Sequence, residues 1–129
     1  MASKSQDGKF ALTDKDLEFF KEKVLFWCYR LGQVDWQLEV EWGKPEDEGT
    51  EIASCRYSGD NKRATITVSR AWLEPVDKNK LNRYAFHEVM HLFFADIADF
   101  ANENAPKGID VNRLEHSMIR TLENVIFSD

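Results

Sequence analysis

The sequence predicts a single α+β domain, and three observations predict it. Residues 34–42 alternate without exception, with Val34, Trp36, Leu38, Val40 and Trp42 on one side, the period of a strand with one buried face. Leu17, Phe20, Val24, Trp27, Cys28 and Leu31 instead recur at spacings of three and four, the period of a helix. Residues 78–102 contain neither Gly nor Pro and are rich in strong helix formers, so a further long helix is expected there. With 129 residues, 43% of them hydrophobic, the chain is long enough to bury one genuine core. Nine Phe and four Trp exclude a mainly disordered chain.

Residues 1–12 open on a polar run and are expected to form a flexible N-terminus ahead of one domain spanning 13–129. Thr13 reads as a helix N-cap, with Asp14 and Asp16 placing negative charge at the positive end of the helix dipole. Gly32 supplies the left-handed stop. After the alternating strand, residues 43–49 form a polar loop, residues 52–57 a second strand, and residues 58–61 a turn. Residues 63–69 form a third strand, with Ala64, Ile66 and Val68 on one side, paired to the second as a hairpin. The expected architecture is thus an N-terminal helix, a three-stranded and mostly antiparallel sheet, a long helix, and a C-terminal helix. Residues 104–108 break the chain before that last helix, for which Asp110 or Asn112 is the cap.

Composition excludes several function classes. A formal charge of −6 and the lack of any Lys/Arg block leave no electrostatic footprint for nucleic acid. No stretch approaches the roughly 18 apolar residues of a membrane span, and the first residues lack the apolar core of a signal peptide. A cytoplasmic protein is expected. Cys28 and Cys55 have no CxxC partner and are expected to be buried free thiols.

The long helix carries His87-Glu88-Val89-Met90-His91, an HExxH pentapeptide holding two of the chain's three histidines. Histidines four apart lie one turn above the other and reach the same ion, while the intervening glutamate points about 100° round the helix, beside the ion. That spacing suits hydrolysis: neutral imidazoles hold zinc, an open position holds water, and Glu88 takes the proton as water attacks a carbonyl. The bland alternative is a pair of core histidines bonded to backbone carbonyls. Against it, apolar residues surround residues 81–100 on nearly every side, including Phe93, Ile97 and Phe100, so the helix is expected to be buried throughout. Two histidines and a glutamate in such a place need a reason.

A catalytic zinc site takes three protein ligands. The extended motif HExxHxxGxxH is excluded by Phe94 and Ile97, so the third ligand must come from residues 111–127. There the apolar stripe (Val111, Leu114, Met118, Ile119, Leu122, Val125 and Ile126) is centred about 15° from Val111, and Glu115 lies inside it at about 40°. His116 falls at about 140°, on the side shared with Asn112 and Glu123. A carboxylate inside a buried stripe is costly unless it meets a metal or a cation. Glu115 is therefore the favoured third ligand, with His116 the alternative and a salt bridge to Arg83 or Arg120 the other use for Glu115. His116 is then a candidate to stabilise a developing oxyanion or to orient Glu115. Tyr84, three residues before His87, either caps the pocket or packs, and Tyr57 and Tyr29 are further oxyanion-donor candidates.

In element order, and in His87-Glu88-x-x-His91 followed by Glu115, the chain resembles the minimal gluzincin type of zincin metallopeptidase. It is also similar to the compact cytoplasmic SprT-like and ImmA/IrrE-type families, common on phage and mobile elements. The resemblance implies that His87, His91 and Glu115 bind zinc and Glu88 acts as base. It further implies that an edge strand, expected at residues 64–69, receives a peptide or protein substrate by strand addition. Two readings follow: a zinc-dependent peptidase, or a non-catalytic zincin-like module in which zinc clamps two helices. They differ at the fourth coordination position, open to solvent in the first and closed by a fourth protein ligand, such as His116, in the second.

Overall fold

A computed structural model describes residues 8–44 and 52–128, and the polar loop expected at residues 43–49 lies largely outside them. Among the described residues the fold is α+β: four helices, a three-stranded mixed sheet, and a separate two-stranded pair. Thr13 caps α1 (Asp14–Arg30) through a full capping box, its backbone N–H donating to Asp16 Oδ2 at 2.8 Å and its hydroxyl accepting from the Asp16 N–H at 3.2 Å. The helix ends as the sequence requires, with Gly32 at φ 72°. Ahead of it, β1 (Phe10–Ala11) pairs with β5 (Ala71–Trp72), so the segment expected to be flexible is tied down at its end.

β2 (Gln37–Trp42) is shorter than the alternation predicts. Val34 is exposed, and Trp36, though buried, turns its indole N–H to Gln33 Oε1 at 3.0 Å, so the pattern begins in the bend after α1. β3 (Ala53–Ser58) and β4 (Arg63–Val68) form the expected antiparallel hairpin, with Tyr57 opposite Ala64 and Ala53 opposite Val68. β2, however, runs parallel to β4 on its other side, giving the order β2-β4-β3. The sheet is mixed rather than mostly antiparallel. β4 is consequently its centre, which explains why Ala64, Ile66 and Val68 are its most deeply buried residues. The expectation of a substrate edge at residues 64–69 fails for the same reason, since both flanks of β4 are already hydrogen-bonded.

α1 packs on α2 (Lys78–Phe93) through Phe20, Val24 and Cys28, and Trp27 donates its indole N–H to Asn82 Oδ1 at 2.8 Å. Asp77 caps α2 by accepting the Lys80 N–H at 2.8 Å. The helix ends sooner than expected: Phe94 (φ −91°, ψ 1°) interrupts it, and α3 (Ala95–Asn104) follows. Phe86, Val89, Met90 and Leu92 are buried as the pattern demanded, but Phe93, Ile97 and Phe100 are exposed because they lie at or beyond that break. Asp110, not Asn112, caps α4 (Val111–Phe127). No helix is long and apolar enough to cross a membrane among the described residues.

Candidate metal centre

α4 docks on α2 with a face the sequence pattern does not indicate. Its buried residues are Glu115, Ile119 and Glu123, centred about 80° round the helix from Val111, whereas Leu114, Met118, Val125 and Ile126 of the apolar stripe remain substantially exposed. Ile119 is the only apolar residue on this face buried completely, and it meets Phe86 and Met90 of α2. At the end of α4, Phe127 closes an edge-to-face aromatic group with Trp27 and Phe86, at ring-centroid distances of 5.9 and 5.6 Å. Hydrophobic burial anchors the helix at these points. The rest of the docked face is acidic, and its partners are histidines.

His87 and His91 stack one turn apart on α2 with ring centroids 5.2 Å apart, as the HExxH spacing requires. α4 brings His116 to 5.5 Å from the first ring and 4.8 Å from the second. One potential ligand atom from each of the three lies within 4.8 Å of the others. Each Nδ1 already has an acceptor. His87 Nδ1 lies 2.5 Å from Glu123 Oε1, His91 Nδ1 lies 2.6 Å from Glu115 Oε1, and His116 Nδ1 lies 2.8 Å from the Asn112 carbonyl oxygen. A carbonyl and two carboxylates only accept, so each imidazole donates from Nδ1, and in its neutral form it carries the free lone pair on Nε2. Three Nε2 atoms are thereby left for a common ligand. Acceptors at the second nitrogen of a ligating histidine are the usual way a metal site fixes tautomer and ring orientation.

Glu115, favoured from the sequence as third ligand, has its Oε1 2.6 Å from His91 Nδ1, and His116 is the residue grouped with the two HExxH histidines as a set that could hold a metal. The salt bridge considered for Glu115 falls instead to Glu123, whose Oε2 lies 3.5 Å from Arg83 Nε. Glu123 was missed as a site residue, although the helical angles had put Asn112, His116 and Glu123 on one side of α4. That shared side was the available signal; the apolar stripe outweighed it.

The electrostatics follow from burial and pairing. Burial alone would lower the pKa of His87, but the hydrogen bond to Glu123 and the charges of Glu88 and Glu123 outweigh it, and the net shift is upward. For His91 burial prevails over Glu115, and the pKa falls. Burial opposes ionisation of Glu123, yet His87 and Arg83 together hold its carboxyl below the usual range. His91 is accordingly neutral at pH 7, the state a metal ligand needs.

The three histidines open onto a cleft of about 680 Å³ whose walls include Glu88, Cys55, Tyr57, Tyr84 and Asn102. Glu88 is buried and lines this cleft beside the histidines. Of the tyrosines weighed as oxyanion donors, Tyr57 and Tyr84 line the cleft and Tyr29 stands exposed on α1. Both cleft hydroxyls are engaged: Tyr84 donates to Glu74 Oε1 at 2.6 Å and Tyr57 to Asp99 Oδ1 at 3.3 Å. The cysteines are free thiols. Burial, with the charge of Glu88 second, pushes Cys55 up to about 12, which disfavours the thiolate a metal would need. Comparison with known proteins adds no relative: no family model, curated protein or solved structure matches the chain.

Proposed function

We propose that the chain is a small zinc-dependent hydrolase acting on peptides, of the compact zincin kind its HExxH segment resembles. One observation carries the reading: three imidazoles come together, each with Nδ1 on an acceptor, which leaves Nε2 as the atom available to a metal. The donor set fits zinc, for which neutral imidazole is a preferred ligand. The ligand atoms lie within 4.8 Å of one another, wider than the roughly 3.4 Å between ligands of a tetrahedral zinc with bonds of about 2.1 Å, so the side chains would draw in around the ion. His87, His91 and His116 would hold the ion. Once bound, zinc supplies Lewis acidity, polarising a carbonyl and making a water molecule more acidic.

The chain's own residues do the rest. Glu88 accepts a proton from the attacking water as the new C–O bond forms, then delivers it to the amine nitrogen as the C–N bond breaks. Glu115 and Glu123 keep the imidazoles oriented. β3, at the edge of the sheet and bordering the cleft through Ala53, Cys55 and Tyr57, replaces β4 as the template for an extended peptide. Among the described residues the ligand group stops at three, which favours an open fourth position and hence the enzyme over the helix clamp.

The test is metal analysis of purified protein combined with cleavage of a library of unstructured peptides. Glu88→Gln is expected to retain zinc and lose turnover by roughly 10²–10⁴-fold, whereas His87→Ala loses the zinc itself. Undiminished cleavage by the Gln variant would remove Glu88 from the role of base.

A further inference from the structure

Glu123 stands eight residues beyond Glu115 on the face of α4 that meets α2, and it is 6% exposed. A carboxylate so placed is expensive to bury unless its oxygens are matched. Both are matched, unequally. Oε1 lies 2.5 Å from His87 Nδ1, and Oε2 lies 3.5 Å from the Nε of Arg83, one turn before His87 on α2. Arg83 is partly exposed and spends its Nη2 on Asn124 Oδ1 at 2.9 Å. A surface salt bridge with Arg83 would not require Glu123 to be buried, and the shorter contact is the one to the imidazole.

We infer that Glu123 is a positioning residue for the metal centre: it holds the His87 ring by Nδ1 so that Nε2 faces His91 and His116. The role rests on reading those three histidines as ligands. Glu115 does the same for His91, but it adjoins His116 in sequence and is fixed along with that ligand. Glu123 lies two turns further on, between Ile119 and Phe127, where α4 is anchored by packing. It therefore ties the orientation of the first HExxH histidine to the docking of α4. Arg83 supports it by holding the second oxygen.

The experiment uses the full chain and zinc alone as probe, titrated in competition with a chromophoric chelator, for the parent, Glu123→Gln and Glu123→Leu. Thermal unfolding in excess chelator is recorded in parallel to separate folding from metal binding. Loss of a partner oxygen behind a ligating histidine weakens metal binding roughly 10–100-fold, and that loss is expected for Glu123→Leu. Glu123→Gln retains a carbonyl oxygen able to accept from Nδ1, so it should recover part of the loss. With cobalt in place of zinc, the visible spectrum of the Leu variant should differ from the parent's, reporting altered ligand geometry. A Leu variant that is folded in chelator and binds zinc as tightly as the parent overturns the inference, as does one that only melts earlier. Failure of the parent itself to bind zinc sinks the metal site as a whole, whereas parent binding with unaffected variants sinks only the role of Glu123.

Discussion

The two walls of the cleft are built on opposite principles. On one side, α4 presents Glu115 to the cleft and buries Glu123 against His87, and their charges are matched by imidazoles and by Arg83. On the other, β3 turns Cys55 and Tyr57 inward, and burial pushes both up to about 12, keeping thiol and phenol neutral. One wall arranges charge; the other excludes it. The contrast teaches that hydrophobic burial need not fall where the cleft is most polar. α4 carries a strong apolar stripe yet leaves much of it exposed, because the face that fits α2 is the one holding partners for its histidines.

The sharpest way to break this contrast is to ask what holds α4 in place. If the acidic face orients histidines while Ile119 and the Phe127 end anchor the helix, then Ile119→Ala should be costly. Ile119 is fully buried against Phe86 and Met90, and truncation at such a site costs about 2–5 kcal/mol. Denaturant unfolding of the metal-free protein measures it. A loss below about 1 kcal/mol, the net worth of a typical hydrogen bond, would mean that the histidine–carboxylate contacts carry the docking and that the division of labour is wrong.

The β3 wall is probed by alkaline pH. Cys55 is raised to about 12 from 9.0 by burial and then by Glu88, Cys28 to about 11 from 9.0 by burial, and Tyr57 to about 12 from 10.0 by burial and then by Asp99. Above about pH 9 the unfolded chain releases thiol protons that the folded chain keeps, so the unfolded state binds fewer protons and stability falls with rising pH. The decline should begin near 9 and steepen past 10, where the tyrosines join. In a Cys28→Ala, Cys55→Ala double variant the unfolding midpoint should stay flatter between pH 9 and 10. An unchanged slope there would show that the thiols ionise normally and that this wall admits water.

Much of this was legible from the residues because local rules governed it. The Thr13 capping box, the Gly32 stop, the hairpin of β3 and β4 and the Asp110 cap each depend on a few neighbouring residues. The placement of His87 and His91 depends only on helical period. What the sequence hid was non-local. The parallel pairing of β2 with β4 brings together residues about 26 apart in the chain, as in Val40 opposite Ile66, and no turn residue announces it. The break at Phe94 occurs without Gly or Pro, and the structure offers no further reason for it. The buried face of α4 is equally non-local: its apolar stripe runs through Leu114, Met118, Val125 and Ile126, yet the residues it buries are Glu115, Ile119 and Glu123. Its polar side, with Asn112, His116 and Glu123, held the better clue.

The smallest effect gives the most exacting check on that last point. Val125 lies in the apolar stripe and is 71% exposed, so on the observed docking it packs against nothing that folding buries. Val125→Ser should then change stability by no more than about 0.5 kcal/mol, the range for ordinary surface positions. Had the stripe itself been docked, burying a serine there would have cost several times more, as for any polar group placed in an apolar site. A measured loss above about 1 kcal/mol, constant across protein concentration, would return Val125 to the interior. It would rotate α4 back toward its apolar stripe and swing Glu123 and His116 away from the HExxH histidines. Exposure at this one remote valine and convergence of the three histidines are two readings of the same helix rotation, so each constrains the other.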